Sequence, residues 1–379
     1  MTLASFRDEF EVASRMAYLA NGSVTPAARS VLAASRSWQD HWARDPQVAY
    51  RTYHDRKESL RRSIAGFIGA DPDEVAITEN ASRGAALAIR LLAGRKGGHV
   101  LVDRTTYPSS RYPWLTGTDK RLRHVDDGGE SGPDPLIAQI DDDTCAVSIS
   151  HVDWASGVRH DVATLAAAAH ARDALLIADA SQAVGAVPVD VKRDGVDVAY
   201  GTFGKWLLAG PGLGFLYVRK ELIEAGPVLD PGWKSLAVDG REWPGETMPE
   251  PVDGAQRFEP GLPNLNGIIM AQAGLDLIGK VGAAAIFSAI GTLAGQAIDG
   301  LMRLGLPLLT PARADRRAGL VSFEHPDAVA LAAYLRERQV EITGYRFGLV
   351  RVDPHAYNTA DEVERMLSLV ADYLRGRGG

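Results

Sequence analysis

Short apolar runs alternate with helical patterns through most of the chain, and that rhythm limits the fold more than any other feature. The runs are Val75–Thr78 (VAIT), His99–Val102 (HVLV), Cys145–His151 (CAVSISH), Leu175–Asp179 (LLIAD), Val196–Tyr200 (VDVAY) and Leu213–Val218 (LGFLYV). Each is too short for a buried helix, so each reads as a buried strand. Between them lie helical stretches such as Ser82–Ala93 and Ala163–Arg172. Strand–helix alternation predicts an α/β fold, a mostly parallel sheet with helices on both faces. At 379 residues the chain is long enough for two domains.

The second half changes character. Trp233 to Leu265 is rich in Pro and Gly, and long helical patterns run from about Gly267 to Leu304. The tail then reads strand (Ala318–Phe323), helix (Asp327–Gln339), strand (Leu349–Asp353), helix (Thr359–Arg375). This gives three expected parts. Residues 1–20 form an N-terminal segment packed on the small domain, 21–255 a large domain, and 256–379 a smaller α+β domain. Val281 to Met302 is the greasiest region, but it carries Gln296 and Asp299 and reads as a packed helix rather than a membrane span. A net charge of -7 argues against nucleic acid or an anionic membrane as partner. The start, MTLASFRDEFEVASRM, has no apolar signal core, and the single cysteine, Cys145, permits no internal disulfide. The expected compartment is the cytoplasm. No tight Cys/His cluster points to a metal.

The chemistry concentrates around YGTFGKWLLAGPGLGFLYV, Tyr200 to Val218, an apolar, glycine-rich stretch with Lys205 in its middle. A lone lysine there would ordinarily snorkel its ammonium to water. Other features give it a different use. Asp179 closes LLIAD, where a carboxylate after four apolar residues is costly unless it meets a cation. Thr78 closes VAIT and leads into Glu-Asn-Ala-Ser at a helix start, with Ser82 as the expected N-cap of an anion-binding helix terminus. In doubly wound sheets ligands bind at the carboxyl ends of the strands. One sheet edge therefore offers a lysine, a carboxylate and a phosphate cradle. Pyridoxal 5'-phosphate (PLP) wants all three: a lysine for its aldehyde, an aspartate for its ring nitrogen and an anchor for its phosphate. A desolvated pocket would keep the lysine neutral enough to attack.

Over nearly its whole length the sequence resembles the class V aminotransferase family of fold-type I PLP enzymes, the group of cysteine desulfurase, kynureninase and isopenicillin-N epimerase. The matching elements are Asp179-Ala-Ser-Gln182, Thr202-Phe-Gly-Lys205 followed by Gly210-Pro211-Gly212, and the closing LVRVDPHAYNTADEVERML. The resemblance implies a mostly parallel seven-stranded-type sheet and a smaller C-terminal domain. It makes Lys205 the Schiff-base lysine, pairs Asp179 with the pyridinium nitrogen, sets Gln182 against the ring hydroxyl and gives Thr202 to the phosphate. Ala81 and Ser82 resemble the family's phosphate-binding pair, Tyr107 its ring-stacking aromatic, and Trp233 its phosphate-side tryptophan. Arg351 matches the arginine that clamps a substrate carboxylate, and Asn21 falls in the N-terminal active-site segment. RFEPGLPN resembles a segment contributed across a dimer interface, so the resemblance implies a homodimer with shared sites and a small amino-acid-like substrate.

Departures from the family pattern narrow the reaction. Gly204 stands where many members have His or Tyr, which removes a proton shuttle, leaves space and disfavours kynureninase. Leu262 stands where the family often has Thr, and Asp153-Trp154 replaces a pattern that supplies Asn. His151, Asp153 and Trp154 receive no role from the sequence. Cys145 opens a predicted interior strand and reads as a core or edge thiol, which disfavours a persulfide-forming desulfurase. The expected activity is a C–S lyase, or a related deaminating enzyme, on an S-substituted cysteine in a specialised pathway. Transamination, decarboxylation-dependent deamination and epimerisation stay open. Two other classes fit less well. The Gly210-Pro-Gly212-Leu-Gly214 segment superficially matches a dinucleotide loop of a dehydrogenase, but it does not open a helix after a strand. A non-catalytic cofactor carrier would have no use for Arg351.

Overall fold

A computed structural model describes residues 1–92, 95, 97–125, 134–237 and 249–376. Ala93, the expected end of one helix, lies outside these residues, as does part of the Pro/Gly-rich stretch. Seven strands form the main sheet: β1 (Val75–Thr78), β2 (His99–Asp103), β3 (Arg121–Val125), β4 (Thr144–Ser150), β5 (Leu175–Asp179), β6 (Val198–Thr202) and β7 (Gly214–Val218). Their spatial order is β1-β7-β6-β5-β4-β2-β3. From β6 across to β3 every pairing is parallel. β7 runs antiparallel to both β1 and β6. The reason is chain length. Only residues 203–213 join β6 to β7, too few for a crossover helix, so the chain folds straight back. The hairpin that results carries Lys205.

The strands are buried on both faces because alternate residues serve two cores. Leu101, Val147 and Ile149 join one core with Leu60, Leu165 and Ile278. Val100, Val102 and Ala146 join the other with Leu87, Ala88 and Trp114. β3 is the exception. It is an edge strand of sequence RLRHV with exposed Arg121 and Arg123, and its composition hides it from a search for apolar runs.

A second unit has its own core. Strands Val321–Glu324, Leu349–Val352 and Thr343–Gly344 form a small antiparallel sheet. Its residues pack with helices Ala328–Glu337 and Ala360–Gly376. Ala17-Tyr18 adds a short parallel pairing to Val340-Glu341, and Ala17 and Leu19 join this core, whereas Phe6 and Phe10 pack into the large one. Helix Leu265–Val281 also packs into the large core, through Ile268, Ala271 and Ile278. The two cores part inside the following helix, Ala283–Arg303, rather than at residue 256. Ile286 and Ile290 face one, and Leu293, Ala297 and Leu301 the other. That division also accounts for the apolar character of the helix, which is long and apolar enough to cross a membrane.

One buried ionic cluster ties the Pro/Gly-rich segment to the sheet. Glu259 accepts from Lys57 Nζ at 2.6 Å, from Arg61 Nη1 at 2.7 Å and Nη2 at 3.0 Å, and from the Ile77 backbone N–H at 2.7 Å. Burial pushes the Glu259 carboxyl up, but Arg61 and Lys57 outweigh it and hold it below its ordinary range. Removing one partner of such a cluster strands the others, at a cost of about 3–5 kcal/mol. Glu259→Gln is therefore expected to lose about that much in urea unfolding at neutral pH. A depressed folded-state pKa stabilises above the unfolded value. The gap between variant and wild type should close as pH falls through the lowered pKa.

Candidate active site

The carboxyl ends of the strands converge on a cavity of about 210 Å³. Asn80, Ala81 and Ser82 follow β1; Tyr107, Ser109 and Ser110 follow β2; Ser150 and Trp154 belong to the end of β4; Asp179 and Gln182 to that of β5; Thr202 and Lys205 to that of β6. The Lys205 side chain is part-buried, with Nζ 5.8 Å from the centre of the Tyr107 ring. Burial lowers the pKa of its ammonium; Asp179 opposes that shift and Arg351 adds to it. The amine is thus biased toward its neutral, nucleophilic form.

Asp179 is buried and pinned at both oxygens. The Ser110 hydroxyl donates to Oδ2 at 2.7 Å, and the Ser181 backbone N–H donates to Oδ1 at 2.9 Å. Ser110 was not singled out from the sequence. Its signal was available: Pro108 marks the first turn of helix Pro108–Gly117, which places Ser109 and Ser110 directly behind Tyr107. Beside Asp179 the buried Tyr200 phenol is held protonated, its pKa raised by burial and then by Asp179.

An anion cradle lies along the same wall. Helix Ala81–Leu91 is capped by Asn80 and not by Ser82. Asn80 Oδ1 accepts from the Arg83 N–H at 2.8 Å. Asn80 has the extended backbone an N-cap requires, whereas Ser82 is already helical. Ser82 instead donates its hydroxyl to Ser109 Oγ at 2.8 Å. The first-turn amides of Ala81 and Ser82 have no intrahelical acceptor and are the natural donors to an anion. The Thr202 hydroxyl accepts from the Gly204 N–H at 3.2 Å and donates to the Leu213 carbonyl at 3.3 Å.

The remaining residues are placed less directly. Gln182 donates through Nε2 to the Gly22 carbonyl at 2.9 Å and accepts from Trp206 Nε1 at 2.8 Å, so its amide is fixed at the cavity wall. Trp154 packs edge-on to Tyr107, with ring centres 5.5 Å apart. Asp153 is a turn former, accepting from Ala155 and Ser156 N–H groups and from Thr105 Oγ1. Gly204 opens no space: a Cβ there would sit 3.2 Å from the Gly210–Pro211 backbone. Asn21, Arg351 and Trp233 are not among the residues lining the cavity. Asn21 donates to the Asp353 carbonyl and accepts from the Tyr357 hydroxyl. Arg351 is buried against Asp353, Nη2 to Oδ2 at 2.7 Å. Its other Nη contacts are Ser23 Oγ, Tyr345 Oη and the Trp154 carbonyl. Trp233 is exposed, with Lys234 Nζ 4.2 Å from its ring centre.

The Aminotransferase class-V model matches residues 17–366. The chain belongs to the class V aminotransferase family. It is 30% identical over 318 residues to the aminotransferase YcbU of Bacillus subtilis (strain 168), covering 84% of each chain. It is 28% identical to a kynureninase of Pseudomonas fluorescens, covering 98% of this chain and 92% of that one. An apo cysteine desulfurase structure from Thermococcus onnurineus NA1 superposes with a TM-score of 0.86 at 25% identity, over 98% of both chains.

The class V enzyme is therefore PLP-dependent, a lyase or transferase of the cysteine desulfurase and kynureninase type. The donor set fits that cofactor. It offers a neutral-biased amine, a buried carboxylate held by two donors, an aromatic ring above the amine and a helix terminus with paired hydroxyls. Borohydride treatment of the holoenzyme should fix the cofactor on Lys205, read by peptide mass spectrometry. A tag on Lys192, Lys220 or Lys234 would overturn this assignment of the cavity.

Proposed function

We propose that the protein is a cytoplasmic C–S lyase that releases a thiol from an S-substituted cysteine by β-elimination. The position of Cys145 carries this reading. A persulfide-forming route needs a cysteine at the site, and this chain has one cysteine. It lies buried at the amino end of β4, while the cavity takes Ser150 at the other end. Five residues of strand separate them by about 16 Å. Burial also raises the Cys145 thiol pKa, so it is a poor nucleophile. Sulfur then leaves with the product.

Bound PLP supplies an electron sink for the α-carbon. The protein's own residues do the rest. Lys205, biased toward the neutral amine, takes the α-proton, and its ammonium form can return a proton to the departing sulfur. Asp179 holds a proton at the ring-nitrogen end, and Ser110 and Ser181 keep its carboxylate aimed there. Tyr107 and Trp154 wall the cavity. The Cα–H and Cβ–S bonds break, the thiol leaves, and hydrolysis of the remaining enamine gives pyruvate and ammonia.

Arg351 is proposed to meet the substrate carboxylate through Nε, which is buried and has no hydrogen-bond partner. Its neighbour Asp353 favours a second reading. A carboxylate 2.7 Å from the guanidinium partly cancels its charge. Such a weakened clamp suits a reaction that expels the substrate carboxylate, because tight ground-state binding of a departing group raises its barrier. We also propose a homodimer. Trp233 and Leu262 are both exposed in the single chain and would face a second copy.

Mass spectrometry of products from a panel of S-conjugated cysteines tests the lyase reading. Thiol and pyruvate in equal amounts are expected, and carbon dioxide without thiol would favour the second reading. Asp179→Asn should retain cofactor but lose about a hundredfold or more in turnover. Near-normal turnover would remove Asp179 from the mechanism. Arg351→Ala should weaken binding of amino acids with a free carboxylate by about tenfold or more. Unchanged binding would take Arg351 out of the site.

A further inference from the structure

A second cavity lies behind the first. Residues Ser150, His151 and Val152 form the partition. Ser150 and Val152 line the cofactor cavity, and His151 lines the other. This is the alternation of an extended strand, whose successive side chains point to opposite sides. The rear cavity measures about 490 Å³, more than twice the first.

Its lining is rich in guanidinium groups. Arg159, Arg193, Arg313 and Arg316 converge there from three separate segments, in a chain whose net charge is -7. Three aspartates accompany them, and each already has a local task. Asp161 caps helix Val162–His170, accepting from the Thr164 N–H at 3.1 Å. Asp194 takes both Nε and Nη2 of Arg193, at 2.7 and 3.0 Å. Asp315 takes Nε and Nη2 of Arg313, at 3.2 and 2.6 Å. Arg159 is left over. Its guanidinium makes no hydrogen bond or ion pair with any of the described residues. Burial lowers its pKa, Asp194 opposes the shift and Arg193 deepens it. His151, brought down to about 3 by burial and by Arg159 and His160, stays neutral and can donate or accept a hydrogen bond.

Asp194, Asp161 and Asp315 offset part of the burial cost of Arg159 through space, but its guanidinium lacks a direct hydrogen-bonded partner among the described residues, which an anion in the hollow would supply. The planar fork of arginine fits the oxygens of phosphate. We propose that this rear cavity is a second ligand site, which takes the phosphate group of a small molecule or free phosphate. Because His151 belongs to the partition, a ligand here presses on the back of the cofactor wall.

The test uses holoenzyme whose cofactor has been fixed by borohydride, in phosphate-free buffer, so that phosphate cannot exchange at the first site. Titration calorimetry with pyrophosphate should show saturable binding. Arg159→Gln should weaken it by about tenfold or more, the scale of one lost charge-assisted hydrogen bond. Arg313→Gln should weaken it too. Arg313 is largely exposed, so that variant probes the site without risk to the fold. Orthophosphate and adenosine monophosphate separate the sources. Equal affinity identifies the free ion, and tighter binding of the nucleotide identifies a phosphorylated organic ligand. Absence of saturable binding by all three probes would overturn the proposal. So would wild-type affinity in Arg159→Gln.

Discussion

A lysine amine drawn into a cavity and influenced by a fixed carboxylate is the constraint to which the large domain is built. Neither group is stable alone in that position. The sheet solves the problem with topology. β5 delivers Asp179, the β6–β7 hairpin delivers Lys205, and both arrive at one carboxyl edge. Ser110 and Ser181 then fix the carboxylate, so its orientation does not depend on the lysine.

Much of this was legible in the sequence, for a physical reason. A charged residue inside an apolar run is an energetic anomaly, and Asp179 and Lys205 are both of that kind. Six of the seven strands announced themselves because burial on both faces demands continuous apolar runs. β3 did not, because an edge strand can carry RLRHV and still pair. The reversal of β7 is written only in the shortness of residues 203–213, a matter of length rather than pattern. The cap of helix Ala81–Leu91 was ambiguous because Asn80 and Ser82 are both cap formers, and only backbone geometry separates them.

Other parts follow from spacing alone. Arg351 and Asp353 are two apart in an extended segment, so their side chains share a face. That spacing already implied the ion pair. Gly22 completes it, since a Cβ there would sit 2.7 Å from Asp353 Oδ2. Trp233 illustrates a different limit. An exposed aromatic has no role that one chain discloses, and in the homodimer proposed above its partner surface would belong to another copy.

The Glu259 cluster has a consequence for the order of folding. Lys57 and Arg61 belong to the first sixth of the chain, yet their counter-charge is about two hundred residues further on. While the chain is being synthesised, Arg61 has Glu58 of its own helix as a partner, but the carboxylate that Lys57 and Arg61 share in the folded protein is still missing. Docking of the helix against β1 has to wait for the Pro/Gly-rich segment to leave the ribosome. A contact of such long sequence separation closes slowly. The face of helix Pro46–Ile68 that carries these cations therefore stays hydrated in the nascent chain, and the sheet is sealed along β1 only when residue 259 arrives.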